Sequence, residues 1–171
     1  MFKVDWSGRA FNYSQDEIDV VVEVMRHGDP LTQGKYLAEF EQKFSSYNET
    51  PYSFAVSNCT NALDLCAVLC GLSPGDEVII PAHTFCATAI PFARQGASIK
   101  WADIDPDTRV VSIESIRSLI SKKTKAIVVV HLYGLMADME AIMQEAEKFD
   151  CLVVEDCAQA LGAEYKEKKA G

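Results

Sequence analysis

The segment Cys151-Leu152-Val153-Val154-Glu155-Asp156-Cys157-Ala158-Gln159-Ala160 decides the fold of this chain. Its four leading apolar residues are typical of a strand that is buried on both faces, as strands of parallel sheets are. In open α/β sheets, ligands bind beyond the carboxyl ends of the strands, so Asp156 is placed to meet a bound ligand. Because Asp is also a favoured helix N-cap, a capping role for Asp156 is the alternative.

Strands and helices alternate through the chain from Tyr52 onward. The predicted strands cover residues 53–56, 77–80, 98–102, 125–130 and the segment that begins at 151, and the predicted helices cover residues 61–70, 84–95, 112–121 and 137–149. A kink or break is expected at Pro91. The alternation predicts βαβ units and a three-layer α/β/α fold, in which a largely parallel sheet lies between helices. The order of the strands is left open.

Residues 1–50 are predicted to form an N-terminal segment with two amphipathic helices, ahead of a sheet domain at residues 51–171. Residues 1–13 are expected to be irregular. Ser14 and Glu17 have the spacing of a capping box at the start of the first helix, and a polar turn at residues 31–34 separates the two helices. We expect their apolar stripes to pack on the sheet. These stripes are Ile18, Val21, Val22 and Met25, then Leu37, Phe40 and Phe44.

Composition argues against several classes of protein. The formal net charge of −9 disfavours a nucleic-acid partner, whose phosphates would be repelled, although it permits a small anionic ligand. No apolar run approaches the roughly 20 residues that span a bilayer. The N-terminus has no signal-peptide core, so we expect no membrane partner and a cytoplasmic location. The six cysteines form no C-x-x-C pair and the three histidines are scattered, so no metal site is predicted.

Four predicted strand ends carry polar or aromatic residues, at 57–60, 82–85, 131–134 and 155–159. If the strands are parallel, all four lie at one edge of the sheet, and this convergence is the main evidence for a site. The turn at residues 57–60 precedes a helix, whose free amides and dipole favour a phosphate. A plain helix cap is the alternative. No Walker sequence or G-x-G-x-x-G is present, so nucleotide and dinucleotide sites lose support.

Side chains at these strand ends each have two interpretations. Phe85 is suited to stack on a flat ring or to fill the core. Asp156 is suited to pair with a protonated ring nitrogen through a charge-assisted hydrogen bond, and Gln159 lies on the same side if a helical turn follows. His83 and His131 are candidates for an acid or base, or for structural histidines.

In combination these residues resemble the sugar aminotransferases of the DegT/DnrJ/EryC1/StrS family. The resemblance extends over most of the chain, and the right order of several segments makes it specific. The matching segments are Leu31-Thr32-Gln33-Gly34, Phe40-Glu41, Val56-Ser57-Asn58-Cys59-Thr60-Asn61-Ala62-Leu63, Pro74-Gly75-Asp76-Glu77-Val78-Ile79-Ile80-Pro81, Thr84-Phe85, Asp103-Ile104-Asp105-Pro106-Asp107-Thr108, Lys125-Ala126-Ile127, His131-Leu132-Tyr133-Gly134 and Glu155-Asp156-Cys157-Ala158-Gln159-Ala160.

The resemblance implies the N-terminal part of the large domain of a pyridoxal-phosphate-dependent transferase of fold type I. The implied cofactor is pyridoxal 5′-phosphate or pyridoxamine 5′-phosphate. The implied reaction transfers an amino group from an amino acid, usually glutamate, to a keto sugar linked to a nucleotide, as in polysaccharide biosynthesis. Members of the family are usually homodimers with the active site at the subunit interface.

The resemblance also implies roles for residues at matched positions. Cys59 and Thr60 would hold the cofactor phosphate, mainly through their amides, and Phe85 would stack on the pyridine ring. Asp156 would keep the ring nitrogen protonated, and Gln159 would contact the phenolic oxygen of the ring. Many relatives have Gly or Ala at the position of Cys59, where a small thiol should still fit.

Further implications concern the substrate and the catalytic lysine. Thr32 and Gln33 would lie near the nucleotide-sugar site. The Schiff-base lysine and a small C-terminal domain are expected beyond Gly171, so no catalytic residue is assigned here and the 171-residue chain alone is expected to be inactive. Three lysines are expected in a charged surface turn and not in the catalytic role: Lys166, Lys168 and Lys169.

Two alternatives stay open. The first is a pyridoxamine-phosphate-dependent sugar 3-dehydratase of the same family, in which a histidine replaces the lysine. The second is a truncated, non-catalytic protein that binds a ligand or a partner chain. A flavodoxin-like domain shares the alternation of strands and helices, but it does not account for Phe85 after Thr84 or for Gln159 after Asp156.

Overall fold

The computed structural model describes residues 13–30 and 32–171. Residues 1–12 of the segment predicted to be irregular, and Leu31 of the predicted turn, lie outside the described residues. Within the described ranges, no helix is both long and apolar enough to cross a bilayer.

Two helices come first in the chain. Helix α1 covers Gln15–His27 and helix α2 covers Lys35–Asn48. The predicted capping box is confirmed, because the Ser14 hydroxyl accepts the Glu17 amide at 3.2 Å and the Glu17 carboxylate accepts the Ser14 amide at 2.6 Å. This reciprocal pair satisfies amides that have no acceptor within the helix, which explains why α1 begins there.

The apolar stripe of α1 does not pack on the sheet, so that expectation is wrong. No residue of α1 is buried, and Met25 is 77% exposed. The helix instead contacts α2, where the Tyr36 hydroxyl donates to the Glu23 carboxylate at 3.0 Å. Helical periodicity predicted the element correctly, but it did not predict what the apolar face would meet.

A four-stranded parallel sheet forms the core of the fold. Its strands are β1 (Glu77–Pro81), β2 (Ser98–Ala102), β3 (Thr124–Val130) and β4 (Leu152–Asp156). Their order across the sheet is β2-β1-β3-β4, and every neighbouring pair is parallel. All four strands therefore end at one edge of the sheet, which confirms the predicted fold class.

The strand predicted at residues 53–56 is wrong, because this segment is irregular. The Ala55 amide donates to the Glu41 carboxylate at 2.8 Å, so a side chain takes the bond that a neighbouring strand would take. Phe54 is 80% exposed. A strand requires a partner strand as well as an apolar pattern, and the pattern alone does not show whether a partner is available.

Helices cover both faces of the sheet. They are α3 (Cys59–Leu69), α4 (Ile90–Arg94), α5 (Ile113–Leu119) and α6 (Met139–Phe149). Successive strand residues point to opposite faces. Val78 and Ile80 therefore join the core beneath α3 and α4, while Ile79 joins the core beneath α5 and α6. The result is the expected three-layer arrangement.

The helix predicted at residues 84–95 is broken into two pieces. A 3₁₀ turn covers Cys86–Thr88, and α4 begins only at Ile90, with Pro91 in its first turn. Proline is tolerated there because the first amides of a helix have no intrahelical acceptor. The break leaves Thr84 and Phe85 outside any helix, at the carboxyl edge of the sheet.

A small hairpin follows the sheet. Strands β5 (Glu164–Tyr165) and β6 (Lys168–Lys169) are antiparallel, and the two residues between them have left-handed φ angles of 49° and 66°. Such angles are typical of a tight two-residue hairpin turn. Lys166 in this turn is exposed and forms an ion pair with Glu140 of α6.

Candidate cofactor site

The carboxyl edge of the sheet brings the predicted strand ends close to one another. Val130 at the end of β3 lies opposite Asp156 at the end of β4. The N-terminus of α3 reaches the same place, where Cys59 Sγ lies 3.7 Å from Asp156 Oδ1. The turn that precedes α3 and the end of β4 therefore form one site.

Asp156 lies at the centre of this site and is only 7% exposed. Its Oδ2 accepts from the Thr88 hydroxyl at 2.8 Å, while its Oδ1 accepts from the Ala158 amide at 3.2 Å and contacts the Cys59 thiol. An ionised carboxylate has about four acceptor positions, so these three donors leave roughly one for a ligand. The chain continues from Asp156 in turns, and the alternative of a helix cap is therefore wrong.

The N-terminus of α3 provides amides that suit an anion. Asn58 is the N-cap, and its side chain accepts the Asn61 amide at 2.9 Å. Among the residues that the structure describes, no acceptor lies against the amides of Cys59 or Thr60. Free amides at a helix N-terminus favour phosphate. The capping and phosphate interpretations are compatible, because the cap uses the Asn61 amide and a phosphate would use the amides of Cys59 and Thr60.

Phe85 lies between two threonines that lead to Asp156. It is 74% exposed, so the alternative of a core phenylalanine is wrong. Its carbonyl accepts the Thr88 amide at 3.0 Å, which holds the 3₁₀ turn closed. Thr84 precedes it, and the hydroxyls of Thr84 and Thr88 are 2.8 Å apart. The ring is thus exposed and available to stack beside a flat ligand.

Gln159 is oriented by the backbone of the loop after β3. Its side-chain carbonyl accepts the Tyr133 amide at 3.0 Å. Because that oxygen is engaged, the NH₂ group is the end of Gln159 that a ligand can use. Tyr133 has a φ of 57°, a left-handed conformation within the short 3₁₀ turn Leu132–Gly134 that follows β3.

His131 is a structural histidine, which decides between the two interpretations of this residue. It is fully buried, its Nδ1 accepts the Ala137 amide at 3.2 Å, and its Nε2 lies 2.8 Å from Glu155 Oε2. Because Nδ1 accepts, Nε2 carries the hydrogen and donates to Glu155. Burial raises the pKa of Glu155, but hydrogen bonds from His131 and Gly171 outweigh it and leave the pKa below its ordinary value. His83, in contrast, is exposed beside the Tyr133 ring.

Cys157 completes a group of possible metal ligands with His131 and Glu155, whose ligand atoms lie within 4.8 Å of one another. Both histidine nitrogens are already hydrogen-bonded to the chain. Burial, together with the charges of Glu155 and Asp156, raises the pKa of the Cys157 thiol to about 12. The hydrogen bonds within this group therefore account for its arrangement without an ion, and the absence of a metal stays a prediction.

Sequence reasoning missed the roles of Thr88 and Glu155. Thr88 lies inside the helix predicted at residues 84–95, and its link to Asp156 spans 68 residues of sequence. The one available signal was its spacing of four residues from Thr84, on either side of Phe85. Glu155 was not paired with His131 because the two lie on separate strand ends, at a sequence separation of 24.

Thr32 and Gln33, the predicted substrate residues, are exposed in the link between α1 and α2. The next residue, Gly34, could not carry a Cβ without approaching the Pro30 carbonyl oxygen to 2.5 Å. The hydrogen bonds of the described residues do not join Thr32 or Gln33 to the strand ends, so their role stays a prediction.

A cleft of about 760 Å³ opens on the face of the sheet that α5 and α6 cover. It is lined by α6 and the hairpin, including Met139, Glu155, Tyr165 and Lys168. None of the predicted cofactor residues lines it. This cleft and the edge of the sheet that carries the predicted cofactor residues are thus different places.

Solved aminotransferase structures have the same architecture. The aminotransferase from Psychrobacter cryohalolentis has a TM-score of 0.89 and 37% sequence identity, over 94% of this chain and 41% of that chain. An E. coli GDP-4-keto-6-deoxy-D-mannose-3-dehydratase with bound hydrated PLP has a TM-score of 0.87 and 28% identity, over 94% of this chain and 42% of that chain. The fold is therefore that of the pyridoxal-phosphate-dependent aminotransferases.

The particular family follows from the sequence itself. Residues 12–171 match the model of the DegT/DnrJ/EryC1/StrS aminotransferase family, and the chain belongs to this family. The GDP-perosamine synthase of Caulobacter vibrioides is 40% identical over 156 residues, which are 91% of this chain and 42% of that protein. The chain thus spans about two fifths of the length of that relative.

Proposed function

We propose that this chain forms the cofactor-binding part of a sugar aminotransferase that uses pyridoxal 5′-phosphate. The observation that carries the proposal is the contact between the α3 N-terminus and Asp156, with 3.7 Å between Cys59 Sγ and Asp156 Oδ1. This contact joins an anion site to an acid that retains an acceptor position. Exposed Phe85 supplies a flat apolar surface nearby. A phosphate, an aromatic ring and a protonated ring nitrogen are the three features that these groups suit.

The phosphate would bind to the amides of Cys59 and Thr60 at the positive end of the α3 dipole. Burial and the neighbouring carboxylate of Asp156 raise the pKa of the Cys59 thiol, so this side chain stays neutral beside the phosphate. Phe85 would lie against the ring face. When bound, pyridoxal phosphate supplies a pyridinium ring that withdraws electrons from the reacting carbon.

Two side chains would hold the ring by its edge. Asp156 would accept a hydrogen bond from the N–H of the ring nitrogen and so keep that nitrogen protonated, since a charge-assisted hydrogen bond to a carboxylate favours the cationic form. Gln159 would donate its NH₂ group to the phenolic oxygen, because its carbonyl is engaged by Tyr133. The ring nitrogen would then meet an acceptor, and the phenolic oxygen would meet a donor.

The substrate side of the proposal rests on the family. The amino group would pass from an amino acid, glutamate in our proposal, to a keto sugar linked to a nucleotide and used in polysaccharide biosynthesis. Thr32 and Gln33 would lie near that nucleotide sugar. We propose a cytoplasmic homodimer, in which exposed apolar residues beside the site, such as Tyr52 and Phe54, would meet the second subunit.

One observation favours a second candidate function. The similar E. coli dehydratase shares the architecture with a TM-score of 0.87, so the fold alone does not separate amination from removal of a sugar hydroxyl. Both candidates use the same phosphate, ring and nitrogen contacts. They differ at one catalytic position, which is a lysine in the aminotransferase and a histidine in the dehydratase.

The test is a product assay on the protein at its natural full length. GDP-linked and UDP-linked 4-keto sugars would be incubated with glutamate and the cofactor, and the products analysed by mass spectrometry. We expect a nucleotide-linked amino sugar together with 2-oxoglutarate. A deoxy keto sugar would establish the dehydratase instead, and the absence of both products with every sugar tested would contradict the proposal.

A further inference from the structure

Two threonine hydroxyls form a chain of hydrogen bonds that ends at the carboxylate of Asp156. Thr84 Oγ1 lies 2.8 Å from Thr88 Oγ1, and Thr88 Oγ1 lies 2.8 Å from Asp156 Oδ2. An ionised carboxylate can only accept, so the single hydroxyl hydrogen of Thr88 goes to Asp156. Thr84 must then be the donor to Thr88. The two hydrogen bonds therefore run in one direction, from Thr84 to Thr88 to Asp156.

This hydroxyl pair links two strands that are not neighbours in the sheet. Thr84 and Thr88 follow β1, whereas Asp156 ends β4, and β3 lies between these strands. The backbone ladders therefore connect β1 to β4 only through β3. The side-chain contacts connect the segment after β1 directly to the end of β4, and Phe85 lies on that segment.

The contacts also fix the orientation of the carboxylate. Thr88 is 1% exposed and occupies Oδ2, while the Ala158 amide occupies Oδ1. A carboxylate that is held at both oxygens cannot rotate without losing one of these bonds. Its remaining acceptor position thus has a fixed direction, which is the requirement for a directional bond to a ligand.

We propose that Thr88 is a positioning residue that aims the Asp156 carboxylate at the ring nitrogen of the cofactor, and that Thr84 in turn orients Thr88. The inference rests on the proposed function, because it names residues that act through Asp156. It assigns no contact between either threonine and the cofactor. The alternative is that Thr88 only stabilises the fold, and the experiment must distinguish this structural role from the positioning role.

The experiment measures how strongly the protein distinguishes two ligands. Pyridoxamine 5′-phosphate binds without the catalytic lysine, and its 1-deaza analogue has CH in place of the ring nitrogen. The phosphate and stacking contacts are the same for both ligands. The ratio of their dissociation constants, from equilibrium dialysis of the full-length protein, therefore reports the bond between Asp156 and the ring nitrogen.

Thr88→Val keeps the shape of the side chain and removes the hydroxyl. We expect the preference for the nitrogen-containing ligand to fall about tenfold, since hydrogen bonds to charged groups and the partners of site residues have effects of this order. Thr88→Ser restores the hydroxyl and should return the preference to within about threefold of the wild type. Thr84→Val leaves the Thr88 bond in place and should lower the preference by about threefold.

Thr124→Val is the matched control. Thr124 is also a buried threonine, and its hydroxyl accepts the Ser121 amide at 2.9 Å, but it is the first residue of β3 and so lies at the opposite edge of the sheet. Its replacement should lower thermal stability and leave the preference unchanged. A purely structural role for Thr88 would give the same result as this control.

The outcomes separate the inference from the proposed function. If the wild type does not prefer the nitrogen-containing ligand, the role of Asp156 fails, and the inference fails with it. If the wild type has the preference and folded Thr88→Val retains it in full, the inference alone is overturned. Should Thr88→Val not fold, Thr84→Val decides, and an unchanged preference in that variant would overturn the chain of hydroxyls.

Discussion

Glu155 and Asp156 are adjacent carboxylates at the end of one strand, yet they lie in different surroundings. Asp156 points to the α3/α4 face, where its partners are a hydroxyl, an amide and the thiol of Cys59. Glu155 points to the α5/α6 face, where the buried His131 donates to it. The period of two along a strand sends neighbouring side chains to opposite faces. One face of β4 therefore holds the candidate site and the other holds a structural pair.

The comparison shows how a stabilising contact can support a functional one. The bond between His131 and Glu155 fixes the first residue of the loop after β3. That loop directs the Tyr133 amide to Gln159, which lies in the candidate site. A pair that faces away from the candidate site thus supports the geometry of that site.

The largest expected effect separates the two carboxylates by activity. Asp156→Asn should lower kcat of the full-length enzyme about 10²–10³-fold, because an amide does not keep the ring nitrogen protonated, and the loss resembles that of other electrostatic contacts in active sites. The matched variant Glu155→Gln should keep kcat within about threefold. Steady-state kinetics on both proteins is the measurement. Equal losses in the two variants would remove the distinction between the two faces.

The next effect concerns stability. His131→Ala should lower the free energy of unfolding by about 3 kcal/mol, because it removes a buried ring and leaves Glu155 without its donor. Urea denaturation gives this value. His83→Ala is the control at an exposed histidine, and we expect a change of less than about 0.5 kcal/mol there. Similar values for the two variants would show that the buried pair does not stabilise the fold.

A smaller effect should appear in the pH dependence of stability. The pKa of Glu155 is lower in the folded protein than its ordinary value of 4.5, so the ionised form of Glu155 stabilises the folded state. Its contribution is therefore complete above that ordinary value and is lost as the pH falls through the lower folded pKa. Wild type should lose more stability than Glu155→Gln over this acidic window. Parallel curves of unfolding free energy against pH would contradict the shift.

The smallest expected effect concerns the lysines on the Glu155 face. Lys166, Lys168 and Lys169 lie beside the cleft of about 760 Å³, away from Asp156. When pyridoxal phosphate is added to the 171-residue chain and reduced with borohydride, we expect no more label on these lysines than on the surface residue Lys123. Peptide mass spectrometry measures the label. Preferential labelling of the three hairpin lysines would contradict our placement of the cofactor at Asp156.

Local patterns predicted the elements but not all of their partners. The apolar run at Val78–Ile80 correctly predicted a parallel strand that is buried on both faces. The run at residues 151–154 correctly predicted a parallel strand, but its expected burial on both faces is wrong: β4 lies at the edge of the sheet, Leu152 is 52% exposed, and Asp156 is the only buried residue of the strand. The pattern at residues 53–56 failed, because the alternation does not reveal whether a partner strand is present. The capping box at Ser14 was predictable because both of its bonds are local.

The candidate site was predictable to the same degree. Asp156 and Phe85 follow strand ends, and parallel strands place such residues at one edge of the sheet. Thr88 and Glu155 act through partners that are distant in sequence, and no local spacing encodes a pair of that kind. The topology of the sheet had to be known before those contacts could be recognised.

Tyr133 reaches Gln159 with its main chain, while its aromatic side chain is 68% exposed. Substitution at this position can therefore change an exposed side chain beside Gln159 while the main-chain contact that orients Gln159 is preserved. Only residues that tolerate a left-handed backbone, with Gly and Asn the easiest, can be placed there at low cost. The surface beside the candidate site can thus vary independently of the contact that orients Gln159.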